Sequence, residues 1–305
     1  QLVFVPLQHL NNKAMGGSAS KPPPPQPKTP PPSPTFREPW RKISWSNKEE
    51  DLENVKNYQP GNPKVKQLRI MLYGPVGAGK SSFISSVNSM MIGRPGYSAA
   101  AGSTTNDTSF TKNYQTHKIQ KEGRENFYPF VFNDIMGLEE GGGVRVEDIK
   151  LALQGRVSEG YTFNPVSALS ETDPNYKSSP SVDDRVHLLV CVCSANASEI
   201  KEPVLQKMKE VREIANALGI PQVAIVTKID EACGETEKSL KNIYHSKYVK
   251  KKMTDFSSRL GIPLNCIFPV KNYSSEISLD DDVDSLILSA LRLMINFGDD
   301  FINKM

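Results

Sequence analysis

The chain has 305 residues, of which 38% are hydrophobic, and a formal net charge of +3 from 37 basic and 34 acidic side chains. This charge is too small for the dense basic face of a nucleic-acid-binding protein, so we expect no nucleic-acid partner. No apolar stretch approaches the roughly 20 residues that cross a membrane. The four cysteines form neither a CxxC pair nor a secreted disulfide framework. We therefore expect a cytoplasmic protein with one large domain and a tail.

Residues 1–35 are predicted to be a disordered, proline-rich tail. Its tract KPPPPQPKTPPPSP favours extended polyproline geometry, because proline lacks a backbone N–H and fixes φ. The tract is interpreted as a stiff spacer or as a docking site for a proline-binding partner. If Met15 is the true start, Gly16 to Ser20 match the N-myristoylation pattern, and the acyl chain would give weak membrane contact. A chance match in a disordered tail is the alternative.

Residues 36–66 are predicted to form a segment that docks on the following domain through Trp40 and Trp45. A short helix is expected here, with Ser46 as the N-cap and Glu49 completing a capping box.

Residues 67–305 alternate between strand and helix patterns, which predicts an α/β domain with a mostly parallel sheet and helices on both faces. The predicted strands are 67–73, 108–119, 127–135, 186–194, 222–228 and 265–270. The predicted helices are 80–92, 198–219, 237–261 and 281–297. In such a fold the ligand lies at the carboxyl ends of the strands. Residues 155–185 exceed an ordinary loop and are interpreted as an insertion, either passive or changing with the state of the ligand.

The sequence from Gly74 to Ser81 fits G-x-x-x-x-G-K-S between a predicted strand and a predicted helix. Glycines let backbone amides converge on phosphate oxygens, and the helix N-terminus adds a favourable dipole. Lys80 would reach the β- and γ-phosphates, and Ser81 would ligate Mg²⁺. The predicted phosphate-binding residues are Gly74, Val76, Gly77, Ala78, Gly79, Lys80, Ser81 and Ser82.

Asp134 and Gly137 form D-x-x-G at the end of a predicted buried strand. There Asp134 could hold Mg²⁺ and the Gly137 amide could meet the γ-phosphate. In AGSTTNDTS, Thr104 or Thr105 could close over Mg²⁺ as a switch threonine. The sequence does not choose between these two threonines, and Thr105 is carried as the candidate ligand.

The stretch VAIVTKID distinguishes guanine from adenine. Guanine presents N1–H and an exocyclic amine side by side, so the Asp230 carboxylate can accept from both, whereas adenine has an acceptor at N1. Lys228 would lay its aliphatic stem over the base. Thr227 stands where many GTPases use asparagine, and we expect weaker bracing of the pocket. After the last strand, the backbone of Lys271 and Asn272 could meet the guanine carbonyl.

The Trp40 segment, LYGPVGAGKSSF, NDIMGLEEGGG and TKID together resemble the interferon-induced protein 44 family of GTPase-like proteins over about residues 36–305. The resemblance implies a Ras-like G domain, a P-loop GTPase fold that binds GTP or GDP with Mg²⁺. It also implies a cytoplasmic, interferon-inducible protein with a role in antiviral defence. Some family members carry a further domain in front, where this sequence has a proline-rich tail.

Two features weigh against rapid hydrolysis. Leu138 follows D-x-x-G where many GTPases place a water-orienting glutamine, and Val76 crowds the path of an arginine finger. Hydrolysis would need another residue or a partner subunit, such as a second copy in a homodimer formed through the nucleotide face. The leading hypothesis is a slow GTP switch. The alternatives are a GTP-binding scaffold without significant turnover and, less favoured because of Asp230, an ATP-dependent P-loop enzyme.

Overall fold

The structure is a computed structural model that describes residues 33–96, 111–121, 126–196 and 200–305. The predictions for the tail up to residue 32, including Met15 and Gly16, lie outside the described residues. So do those for Thr104 and Thr105. Within the described ranges, no helix has both the length and the apolar character needed to cross a membrane.

A six-stranded sheet forms the centre of the domain, with strand order β2-β3-β1-β4-β5-β6. All neighbouring strands are parallel except β2, which is antiparallel to β3. The strands are β1 Leu68–Tyr73, β2 Gln115–Gln120, β3 Phe127–Asp134, β4 Leu188–Ser194, β5 Gln222–Thr227 and β6 Ile267–Pro269. Strands β1 and β4 are almost entirely buried, as their continuous apolar runs predict.

Eight α-helices are found in the described part of the chain. They are α1 Lys48–Lys56, α2 Lys80–Ile92, α3 Val146–Leu153, α4 Glu202–Ala217, α5 Ile229–Ala232, α6 Gly234–Lys238, α7 Lys247–Leu260 and α8 Asp281–Ile302. Helices α1 and α2 pack with α8, whereas α3 and α7 pack with α4. The predicted α/β class, with a mostly parallel sheet between two groups of helices, is confirmed.

Two predicted features need correction. The helix predicted over 237–261 is interrupted, because α6 ends at Lys238 and α7 begins only after Ser246, whose Oγ accepts from Val249 N at 3.2 Å. The intervening Ile243 and Tyr244 are buried, and this packing overrides the helical pattern. The N-cap of α1 is Asn47, without a side-chain cap bond, so the capping box predicted at Ser46 is wrong.

Residues 34–41 form an irregular segment, here called the strap, that lies against the region before α7 and the start of β6. Phe36 N donates to His245 O at 2.8 Å, and Trp40 N donates to Tyr244 O at 3.0 Å. The Arg41 guanidinium donates to Ile267 O at 2.6 Å and to Leu264 O. The strap therefore contacts the two chain segments on either side of α7.

Helix α1 is fixed to α8 by charged side chains. Lys48 Nζ lies 2.6 Å from an Asp281 oxygen and 2.9 Å from an Asp284 oxygen. Beyond α1, Tyr58 donates to Asp299 Oδ1 at 2.9 Å. Together with the strap, α1 covers surfaces that the sheet and its helices would otherwise expose.

His187 is a fully buried histidine just before β4. Its Nδ1 accepts from Arg69 N at 3.0 Å, so Nε2 carries the proton and donates to Val182 O at 2.9 Å. Burial lowers the pKa of His187 to about 4; the Arg69 guanidinium also lowers it, while Val182 and Asp183 oppose the shift. The native protein therefore holds this imidazole neutral at physiological pH.

Acidification from pH 7 to pH 5 is expected to lower the free energy of unfolding through His187 by about 2 kcal/mol. An unfolded histidine titrates near pH 6.5, so the unfolded chain takes up the proton first. Stability from this group is present above pH 6.5 and is lost as the pH falls towards 4. Urea unfolding at both pH values measures the effect, with His187→Gln as the non-titrating control. An equal pH dependence in the two proteins would contradict the prediction.

Candidate nucleotide-binding site

The loop between β1 and α2 turns on glycines with positive φ. Gly74, Gly77 and Gly79 have φ of 149°, 72° and 89°. A Cβ on Gly74 would lie 2.1 Å from the Val192 carbonyl oxygen, so the first glycine is required by the close approach of β4. Gly79 is the N-cap of α2 and makes no side-chain cap bond. The first amides of α2, including those of Ser81 and Ser82, are thereby left for an anion.

Lys80 folds back over this loop. Its Nζ donates to Gly74 O at 3.3 Å and to Pro75 O at 3.2 Å, and the residue is only 7% exposed. Burial lowers the pKa of Lys80 below its ordinary value, although the nearby Asp134 carboxylate favours the charged form. The structure thus places a buried ammonium group beside the amides at the start of α2.

Three oxygen-bearing side chains meet next to Lys80. Ser81 Oγ donates to Asp134 Oδ2, and Thr111 Oγ1 lies 3.3 Å from the same oxygen and 3.4 Å from Ser81 Oγ. The other carboxylate oxygen, Asp134 Oδ1, is buried and has no hydrogen-bond partner among the described residues. An unpaired buried carboxylate oxygen costs free energy unless a ligand satisfies it.

These oxygens fit Mg²⁺, which prefers hard oxygen ligands and takes one or two protein ligands together with phosphates. Within the described ranges, no group of three His, Cys, Asp or Glu side chains offers a metal site made of protein alone. Ser81, Thr111 and Asp134 are the described side chains that could hold such a cation here.

Thr111 was not among the predicted site residues. The prediction placed residue 111 inside a strand over 108–119, whereas β2 begins only at Gln115, which leaves Thr111 in the preceding loop. The sequence feature that could have identified Thr111 is its position shortly before the polar strand. Within the described residues, Thr111 is the threonine that lies beside both Ser81 and Asp134.

The D-x-x-G loop pairs with the phosphate loop through the backbone. Leu138 N donates to Gly74 O at 3.0 Å, and Val76 N donates to Leu138 O at 3.3 Å. A Cβ on Gly137 would lie 2.5 Å from Val76 Cγ2. The Leu138 side chain is buried at 2% exposure, so it packs in the core.

Residues 139–142 are held by lysines of the α4 region. Lys207 Nζ donates to Glu139 O at 2.7 Å and to Gly142 O at 3.3 Å. Lys201 pairs with Glu140 at 2.9 Å. The loop after Gly137 is thus tied to α4 as well as to the phosphate loop.

The predicted base-binding residues lie at the end of β5. Thr227 is fully buried, and its hydroxyl donates to Ala78 O at 2.6 Å. Lys228 has φ of 56° and is the one non-glycine residue with positive φ in the described ranges. Such a conformation is uncommon and is often kept at functional sites. Asp230 lies in α5 and lines a cavity of about 520 Å³ together with Lys271.

Lys271 and Asn272 follow β6 and approach the same region from the other side. Lys271 Nζ lies 3.0 Å from Glu276 Oε1 and 3.8 Å from Asp230 Oδ2. Asn272 Nδ2 donates to Gly79 O at 3.1 Å. The structure therefore brings the loop after β6 to both Asp230 and the phosphate loop.

No protein-family model matches the chain. Interferon-induced protein 44 of Pan troglodytes is 38% identical over 258 residues, which cover 83% of this chain and 57% of that protein. The human protein of the same name is 37% identical with the same coverage, and human interferon-induced protein 44-like is 34% identical over 257 residues.

The matched region belongs to the interferon-induced protein 44 family. The resemblance predicted from the nucleotide-site motifs is thereby confirmed. The chain spans less than two thirds of the length of these interferon-induced protein 44 relatives.

Two solved structures are also similar to the chain. A dimerization-deficient mutant of Toc33 from Arabidopsis thaliana has a TM-score of 0.46 and 13% identity, and covers 83% of this chain and 92% of its own. A probable GTP-binding protein, EngB, has a TM-score of 0.38 and 13% identity, and covers 78% of this chain and 100% of its own. The fold class rests on the strand order and on the loop between β1 and α2 in the chain itself.

Proposed function

We propose that the chain binds GTP or GDP with Mg²⁺ and works as a slow GTP switch in an interferon-induced antiviral response. The observation that carries the proposal is the unpaired buried Asp134 Oδ1, grouped with Ser81 and Thr111 beside Lys80. The names of the relatives support the interferon link. The alternative is a GTP-binding scaffold without significant hydrolysis, which the buried Leu138 favours.

In this proposal the chain acts mainly by positioning the phosphates and the cation. The α2 amides and the Lys80 ammonium bind the phosphates, while the side chains of Ser81, Thr111 and Asp134 hold the cation. When bound, Mg²⁺ neutralises charge on the β- and γ-phosphates. Thr111 lies in the loop before β2, so its contact with the cation would distinguish the triphosphate from the diphosphate state.

The 155–185 segment is connected to this loop. Phe163 N donates to Lys112 O at 2.9 Å, and Tyr114 N donates to Tyr161 O at 2.8 Å. Because Lys112 directly follows Thr111, a movement of Thr111 would be transmitted to residues 160–163 through these backbone hydrogen bonds. We propose that this insertion is the surface that changes with nucleotide state.

The nucleotide preference rests on Asp230. GTP and GDP are expected to bind at least tenfold more tightly than ATP, because adenine would leave the carboxylate facing an acceptor. Isothermal titration of each nucleotide with Mg²⁺ measures this preference. Asp230→Asn is expected to reduce it, whereas Glu237→Gln, an exposed carboxylate lining the same cavity, is expected to leave it unchanged. Equal affinities for GTP and ATP in the wild type would refute the guanine assignment and favour the ATP-dependent alternative.

Hydrolysis by the isolated monomer is expected to be slow, on the order of 10⁻² per second or less. Leu138 is buried and cannot orient water, and Val76 contacts Gly137 where an arginine finger would enter. Phosphate release under multiple-turnover conditions measures the rate. A rate that rises with protein concentration would indicate that a second copy completes the site across the nucleotide face. Turnover at several per second by a monomer would show that a catalytic group has been missed.

We also propose that the protein is cytoplasmic. The four cysteines are all free and buried, as is usual in a reducing compartment. Intact-mass measurement of the native protein tests whether Gly16 is acylated. An acyl chain there would add weak membrane contact.

A further inference from the structure

The end of β5 offers the phosphate loop only one hydrogen-bond donor. The Thr227 hydroxyl carries one proton, which it donates to Ala78 O at 2.6 Å; Cys193 O lies farther away, at 3.3 Å. An asparagine at this position would present two amide protons and an acceptor. A threonine therefore leaves the neighbouring Gly79 carbonyl, at the start of α2, without an anchor from β5.

Asn272 reaches that carbonyl from the loop after β6. Its Nδ2 donates to Gly79 O at 3.1 Å. A Cβ on Gly79 would lie 2.9 Å from Asn272 Nδ2 and 3.4 Å from Thr227 Oγ1. The two side chains thus contact the same glycine from adjacent strand ends and hold successive carbonyls of the phosphate loop.

The loop that carries Asn272 is itself well fixed. Val270 N donates to Val226 O at 2.8 Å, and Tyr273 N donates to Ser86 Oγ at 2.9 Å. One bond ties the loop to β5 and the other ties it to α2. Asn272 therefore lies between two rigid elements, which is the condition for a side chain that sets the position of a loop.

The other end of the same side chain is unsatisfied. Asn272 Oδ1 is buried and has no hydrogen-bond partner in the described part of the chain. The Gly79 carbonyl also accepts from Phe83 N at 2.9 Å, and turning the Asn272 amide over would bring Oδ1 against that carbonyl oxygen, so the orientation with Nδ2 towards Gly79 is favoured. An unpaired buried acceptor beside a nucleotide site indicates that a donor from the ligand completes it.

We propose that Asn272 is a positioning residue that supplies the amide anchor of the phosphate loop that Thr227 cannot. Its Nδ2 holds the start of α2, and its Oδ1 accepts a hydrogen bond from a donor of the bound nucleoside. The proposal rests on the proposed nucleotide binding, but the anchor also acts in the protein without nucleotide. On this proposal, the pocket bracing that we expect Thr227 to weaken is shared between two strand ends.

The first test needs no nucleotide. Hydrogen exchange of the amides in residues 74–83 is expected to become about tenfold faster in Asn272→Ala than in the wild type. The matched control is Asn62→Ala, which removes an equivalent bond from Asn62 Nδ2 to Ile302 O at 2.7 Å, away from the loop, and should leave this exchange unchanged. Unchanged exchange in Asn272→Ala would overturn the positioning role whether or not the protein binds GTP.

The second test measures GTP affinity and rescue. Asn272→Ala is expected to weaken GTP binding about tenfold, and Thr227→Asn in the same chain should restore affinity to within about threefold of the wild type. If Asn272 only stabilised the fold, an asparagine at position 227 of β5 would not restore GTP affinity. Loss of affinity in Asn272→Ala without recovery in the double variant would therefore count against the proposal. If the wild type binds no GTP while exchange in Asn272→Ala rises, the proposed nucleotide function fails and the positioning role stands.

Discussion

Lys80→Ala is expected to lower GTP affinity at least 100-fold, which is the largest effect on binding that the structure predicts. Lys80 supplies the one buried cation that bridges the loop carbonyls of Gly74 and Pro75 beside the α2 amides. A charge-assisted contact to phosphate in a buried site contributes several times more than an exposed one. Isothermal titration with GTP and Mg²⁺ measures the loss.

The matched control is Lys112→Ala. Lys112 is an exposed lysine next to Thr111, so its removal changes the charge near the site without touching the phosphate loop. It is expected to change GTP affinity by less than about twofold. Comparable losses in the two variants would show that affinity depends on general charge, and not on the position of Lys80.

Gly74→Ala is expected to destabilise the fold by about 3 kcal/mol or more. The added Cβ would lie 2.1 Å from the Val192 carbonyl oxygen, at a φ of 149° that side chains rarely adopt. Relief requires β1 and β4 to separate at the centre of the sheet. Urea unfolding of the nucleotide-free protein measures the change.

Gly77→Ala separates backbone strain from collision. Gly77 also has positive φ, at 72°, but a Cβ there would meet nothing within 4 Å. The expected cost is about 1 kcal/mol, arising from the left-handed conformation alone. If both alanine variants were equally stable, the close packing of Gly74 on β4 would be refuted.

Short-range patterns predicted most of the sheet and the phosphate loop. Helix α2 begins at Lys80 and ends at Ile92, as its periodicity predicts, because the preceding glycines and the apolar face specify the same boundaries. Strands β1, β4 and β5 are read from buried apolar runs whose length matches a parallel strand. In these elements local preference and burial agree.

The features that the sequence did not predict depend mostly on contacts between residues far apart in the chain. Thr111 joins Ser81 and Asp134 through the loop before β2, and nothing in the residues around it specifies that encounter. The break before α7 depends on Tyr244 packing 5.2 Å from Trp40, a residue some 200 positions away. Helix α3 was not predicted, although its first turn carries Glu147 and Asp148 and its buried face carries Ile149 and Leu153. Asn272 is predicted to contribute its backbone to guanine binding, and the contact of its side chain with Gly79 O was not predicted.

The strap and α1 have a practical consequence for anyone cutting this protein into fragments. A G domain defined from its motifs alone would start near Leu68 and would remove both elements. Such a fragment would expose the Tyr244 and Phe268 rings that Arg41 covers. The carbonyl oxygens of Leu264 and Ile267 would lose the Arg41 guanidinium as their donor. The Asp284 carboxylate would lose its ion pair with Lys48. Apolar rings and unpaired carbonyls at one surface favour self-association. The shortest fragment expected to retain these contacts begins before Thr35, so nucleotide binding should be measured on a fragment that includes the strap and α1.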